Sequence, residues 1–169
     1  MGMFCYQCEQ SAKGAGCTVK GVCGKEETTS ALQDLLLHTT KGIAAYASRA
    51  GKLGIRDKEV DVFTTEAVFS TLTNVNFDDA RIKGLIGRAA TMRDRARGLY
   101  EDACKKAGQT PETLSGAASF IPAADMAGLL AQGESVSITK RQARLGEDVA
   151  GLQELLAYGI KGVAAYADQ

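Results

Sequence analysis

Four cysteines near the start of this chain constrain its fold more than any other feature. Cys5, Cys8, Cys17 and Cys23 read C-x2-C-x8-C-x5-C, with Gly14, Gly16, Gly21 and Gly24 between and after them. Soft thiolates gathered on one loop suit a metal centre, foremost an iron–sulfur cluster. Each iron of a cubane takes one thiolate, so four ligands must converge around one point. A loop that wraps a cluster turns sharply several times, and glycine adopts positive φ at little steric cost. Close backbone approach also lets N–H groups point at the sulfurs, which helps set a reduction potential.

Two other chemistries compete for these thiols. C-x2-C is half of many structural zinc sites, but here the second pair is C-x5-C and no second C-x2-C or H-x3-H follows. Disulfides or redox thiols form the third alternative. A disulfide framework needs an oxidising compartment. The start Met1-Gly2-Met3-Phe4-Cys5 has neither the basic nor the apolar region of a signal peptide. A thioredoxin-type C-x-x-C expects a βαβ context that the sequence lacks. From the residues alone, iron–sulfur, zinc and redox thiols all stay open.

Composition narrows the function classes. Twenty basic and twenty acidic residues give zero formal charge over 169 residues, against a general nucleic-acid or membrane-surface binder. Such a length can bury a real core. Only two prolines, with abundant alanine, favour helix. Tyr6 stands where a myristoylation signal wants serine or threonine. Reduced thiols without a targeting or transmembrane segment lead us to expect a cytoplasmic protein.

The pattern turns helical after the cysteine loop. Ser30 and Gln33 read as a capping box. Leu32, Leu35, Leu36, Ile43 and Ala47 follow at helical spacing, with Gly51 as the stop. A second helix is expected over residues 58–72, with Val60, Phe63, Ala67 and Leu72 inward. A third runs over 79–107, started by Asn76, Asp78 and Asp79 and closed by Gly108. Residues 123–131 read as a short helix, and Val136, Ser137, Ile138 and Thr139 as extended chain. A last helix begins near Glu147. The expected architecture is all-α, a three-helix bundle behind an N-terminal cysteine-rich loop. It divides into a cluster loop (1–28), a first bundle (29–108), a connector (109–145) and the start of a second bundle (146–169).

The last helix repeats the first. LQDLLLHTTKGIAAYA (32–47) and LQELLAYGIKGVAAYA (152–167) agree at ten of sixteen positions. Helical patterning fixes only polarity, so the shared Lys-Gly-x-Ala-Ala-Tyr-Ala points to duplication rather than convergence. A displacement of 120 residues is too long for a solenoid repeat, which leaves a duplicated bundle. We therefore expect Leu152, Leu155 and Leu156 to face a core as Leu32, Leu35 and Leu36 do. A face around Leu155, Leu156, Ile160 and Val163 without bundle partners must fold back on the first bundle or self-associate through the final helix.

Several stretches resemble the hybrid cluster protein family, also called prismane protein or hydroxylamine reductase. They are Met3-Phe4-Cys5-Tyr6-Gln7-Cys8-Glu9-Gln10, Gly16-Cys17-Thr18, Gly21-Val22-Cys23-Gly24-Lys25, Leu32-Gln33-Asp34-Leu35-Leu36, Asn76-Phe77-Asp78-Asp79-Ala80-Arg81 and Lys161–Ala167. The cysteine signature is shared with carbon monoxide dehydrogenase relatives. The resemblance implies a [4Fe–4S] cluster on Cys5, Cys8, Cys17 and Cys23, since the short gaps match the cubane type rather than the [2Fe–2S] type. It implies two helical bundles set across one another. It also implies an electron donor protein of ferredoxin or reductase type, and electron relay to a second, hybrid 4Fe-2O-2S cluster that reduces hydroxylamine to ammonia, or nitric oxide. The hybrid cluster's ligands lie in later C-terminal domains whose motifs are not in this sequence, so the chain is expected to be an N-terminal fragment, inactive alone. A stand-alone ferredoxin-like carrier and a zinc-stabilised helical interaction module remain as alternatives.

The other candidates read as structural. His38 matches Tyr158 in the repeat, which favours packing over metal ligation. Cys104, late in the third helix, behaves as a small hydrophobe. Asp78 and Asp79 start a helix rather than form a catalytic pair. Lys13, Lys20 and Lys25 border the cysteine loop, where they either offset cluster charge or remain ordinary solvated lysines. No catalytic residue is expected in this chain.

Overall fold

The computed structural model describes residues 2–167; Met1, at the head of the expected cluster loop, and Asp168 and Gln169, at the end of the expected second bundle, lie outside them. Among the described residues six α-helices follow the loop: α1 (Glu27–Lys52), α2 (Lys58–Ser70), α3 (Asp79–Lys106), α4 (Met126–Ser135), α5 (Ile138–Leu145) and α6 (Glu147–Ala167). Short 3-10 turns lie at Ala12–Gly14 and Gly116–Ser119. Among the described residues there is no strand, only an isolated bridge between Cys5 and Cys17.

α1 is the central element, packing along α3 and against α2, α4 and the 3-10 turn at Gly116–Ser119. Its apolar stripe closes the core: Leu32, Leu35, Leu36 and Ile43 are wholly buried with Phe63 of α2 and Ile82 and Ile86 of α3. At about 25 cal/mol per Å² of apolar surface, each such side chain contributes roughly 1.5–3 kcal/mol. Gly42 lets the Gly116–Ser119 turn approach: a Cβ there would lie 2.3 Å from the Ala117 carbonyl oxygen.

Helix ends depart from expectation in physically simple ways. α1 starts at Glu27, not at a Ser30 cap, and Ser30 is buried inside the helix. Glu26 and Glu27 put carboxylates at the positive end of the dipole. The Thr29 hydroxyl donates to Asp79 Oδ1 at 2.6 Å and Gln33 Nε2 to the Asn76 carbonyl at 2.9 Å, which ties this end to the start of α3. α1 also runs past Gly51; the chain turns at Gly54, whose φ of +80° favours glycine. α3 begins as expected, with Asp78 accepting from the amides of Ala80 and Arg81. Asp57 caps α2 in the same way, and α2 ends at Ser70 rather than at Leu72.

Residues 136–139 are not extended. Val136 ends α4, Ser137 caps α5 by accepting from the Lys140 amide, and Ile138 and Thr139 belong to α5. The β-branched run suggested strand, but the serine cap and the burial of Ile138 decide the local structure.

The repeated segments are both helical, yet α6 does not present the face that α1 presents. Leu152, Leu155 and Leu156 are exposed, at 67%, 68% and 65%, where Leu32, Leu35 and Leu36 are at 0%. α6 packs instead on α2 and α5, with Ala150, Lys161 and Ala164 buried and Glu154 and Ala157 partly so. Small residues at this near-heptad spacing permit close helix approach. The expectation that the repeated leucines face a core is therefore wrong for α6. The helix folds back on the first bundle, but by its small and polar face.

Candidate metal centre

The four cysteines lie on a loop pinned at two points. The Cys5 amide donates to the Cys17 carbonyl at 3.0 Å and the Cys17 amide to the Cys5 carbonyl at 2.8 Å, so the first and third cysteines stand on adjacent strands of chain. The Ser11 amide donates to the Cys8 carbonyl at 3.2 Å, turning the chain into the 3-10 segment. A second turn surrounds Cys23, where Gly24 donates to Gly21 and Gly21 to Lys25, each at 2.8 Å. Gly21 sits close to its neighbours: a Cβ there would meet Cys23 Sγ and Lys25 Cβ at 3.0 Å, so a side chain would press on the loop around Cys23. At Gly16 a Cβ would lie 2.6 Å from the Phe4 ring.

All four thiols are free of disulfides; Cys17 is buried and the others are half-buried. The Ala12 amide donates to Cys17 Sγ at 3.4 Å, and Lys25 Nζ lies 3.9 Å from Cys5 Sγ. Among the described residues, no three of the histidines, cysteines, aspartates and glutamates form a group that could hold one metal ion.

Charge is buried behind the loop. Lys25 is only 3% exposed and its ammonium lies 5.8 Å from the centre of the Phe77 ring. Lys161 is 2% exposed; its ammonium donates to Gln7 Oε1 at 3.0 Å and to the Thr71 carbonyl, at the end of α2, at 3.2 Å. Burial lowers its pKa to about 8, aided by the Lys25 charge and opposed by Asp34, Glu154 and Cys5. Desolvation pushes the Asp34 carboxyl up to about 7, against the pull of Arg141. Arg141 of α5 pairs with Glu154 of α6, both side chains largely buried. Beside Cys8 an open cleft of about 660 Å³ runs between Tyr6–Gln10 and the α6 side chains Glu154, Leu155 and Tyr158.

The remaining candidates lie elsewhere. His38 makes an edge contact with Phe120 at 5.0 Å between ring centres, and desolvation lowers its pKa. Cys104 is 1% exposed in the core. Lys13 is exposed and Lys20 pairs with Glu26, so of the three border lysines only Lys25 is built into the loop. The sequence did not single out Lys161, Gln7 or Asp34. Ala150, Ala157 and Ala164, spaced by sevens on the face that also carries Lys161, were the available sign that this lysine points inward.

An all-α bundle with a four-cysteine loop at its N-terminal end defines the class. The chain belongs to the Prismane/CO dehydrogenase family, whose match covers residues 3–169. It is 54% identical over 170 residues to a hydroxylamine reductase of Acidiphilium cryptum, covering 98% of this chain and 30% of that protein. Hydroxylamine reductases of Rhodospirillum rubrum (49% over 165 residues) and Geobacter sulfurreducens (45% over 170 residues) match 98% and 99% of the chain, again over 30% of their own length. The chain thus spans about a third of the length of these curated relatives. No helix among the described residues is long and apolar enough to cross a membrane.

Proposed function

We propose that this chain is the N-terminal electron-transfer domain of a hydroxylamine reductase, holding one [4Fe–4S] cluster on Cys5, Cys8, Cys17 and Cys23. The observation that carries it is the loop itself: four free thiols, with a backbone amide directed at one sulfur and a buried ammonium beside another. This donor set fits an iron–sulfur centre, in which thiolates bind iron and N–H groups to sulfur adjust the potential. Bound there, the cluster supplies one-electron transfer. The residues do the rest: the Cys5–Cys17 bridge fixes two ligands, Gly21 lets the chain close over Cys23, and Lys25 offsets thiolate charge.

The domain takes electrons from a donor protein and passes them to a hybrid cluster in C-terminal domains, where hydroxylamine or nitric oxide is reduced. Residues 1–28 form the cluster loop, 29–108 the first bundle, 109–145 a connector and 146–169 the start of a second bundle. The rest of that bundle covers Leu152, Leu155, Leu156 and Val163 of α6; without it, these exposed residues favour self-association.

A cubane held by four cysteines has no open coordination position for substrate. The cluster-replete 169-residue chain should therefore be reduced and reoxidised by dyes without turning over hydroxylamine. Steady turnover above a cluster-free control in an anaerobic assay would contradict this.

A further inference from the structure

Lys161 places a buried ammonium where α6, α2 and the cysteine loop meet. Its bonds run to Gln7 Oε1, at 3.0 Å, and to the carbonyl of Thr71, the residue that caps the end of α2, at 3.2 Å. Gln7 lies between Cys5 and Cys8 and adjoins the latter. The matching lysine of the first repeat, Lys41, is exposed, so the repeated motif alone does not require burial. A lone buried ammonium is costly unless its donors are satisfied. Here two of its three donors meet oxygens from two separate segments, and one of these belongs to the loop.

We propose that Lys161 is a positioning residue for the cysteine loop, holding the Cys5–Cys8 segment on the bundle through Gln7 while its positive charge favours the reduced cluster. The proposal rests on the cluster reading above and extends it to a lysine 138 residues downstream of Cys23. Reduction adds negative charge, and a cation held near the loop stabilises the more negative state. Net charge and hydrogen bonding around a cluster set its potential. Partners one layer behind metal ligands commonly change metal retention 10–100-fold when removed.

The test compares the anaerobically purified chain with Lys161→Met, Lys161→Arg and Gln7→Ala. Three quantities are measured: the midpoint potential by dye-mediated titration, the rate of iron release to a chelator, and helix content by circular dichroism. Lys161→Met should shift the midpoint to more negative values and release iron roughly tenfold faster or more. Lys161→Arg should restore the potential, because the charge returns. Gln7→Ala should speed iron release while shifting the potential less, because the charge stays and only the tether is lost. A helical Lys161→Met protein with the unsubstituted potential overturns the proposal. If Lys161→Met loses its helix content, Gln7→Ala decides, and unchanged iron release there overturns it equally. Absence of an iron–sulfur chromophore from the unsubstituted chain would instead defeat the cluster reading, and this proposal with it.

Discussion

Replacing any one of Cys5, Cys8, Cys17 or Cys23 with alanine should strip or degrade the cluster, whereas Cys104→Ala should leave iron content unchanged. A cubane takes one thiolate per iron, so under the proposed ligation each loop cysteine would be the sole protein ligand to its iron. Losing it opens that iron to solvent and chelators. The position of each cysteine also matters. Cys5 and Cys17 are joined through two backbone bonds that alanine also makes, so a substitution at either removes the thiolate and leaves the loop geometry in place. Cys104 is chemically identical but lies in the core of the bundle at 1% exposure, packed among apolar side chains. Iron and acid-labile sulfide, measured on the five variants after anaerobic purification, check this. A loop variant that keeps full iron, or a Cys104→Ala that loses it, would show that the ligand set is wrong.

Leu36→Ala should cost roughly 2–5 kcal/mol of stability, the range for large-to-small changes at closed core sites. Leu36 is at 0% exposure within the cluster formed by α1, α2 and α3. The same change at its repeat counterpart Leu156, which is 65% exposed, should stay within about 0.5 kcal/mol. Two leucines in near-identical local sequence then differ several-fold in cost, and the difference isolates packing from helix propensity. Urea denaturation of the two variants measures it. Equal losses would mean that α6 buries its apolar face in solution, by self-association or by a different packing on the bundle.

Much of this fold is legible in the sequence because it is local. Apolar spacing from Leu32 to Ile43 and from Val60 to Ala67 identifies helices and their buried faces, and Asp78 announces the start of α3 by capping chemistry. What escapes is tertiary. α1 starts before Ser30 because Thr29 and Gln33 bond to Asp79 and Asn76, about fifty and forty residues away. α5 forms through Ile138 and Thr139 because the Ser137 cap and the burial of Ile138 outweigh β propensity. The orientation of α6 is the clearest case. Its sequence matches α1, but the face it buries depends on which surface lies opposite. For α6 that surface, on α2 and α5, accepts alanines and a lysine rather than leucines. The cysteine loop was the most legible part of the candidate site. The buried Lys161 behind it was not, since a lysine on a helix ordinarily reads as solvated.

Iron, zinc and acid-labile sulfide, determined together on protein purified without oxygen, test the central claim most directly. One thiolate per iron predicts about four irons and four sulfides per chain, with negligible zinc and a brown protein. Stoichiometric zinc without labile sulfide would contradict it, and would make the loop a structural site with no part in electron transfer.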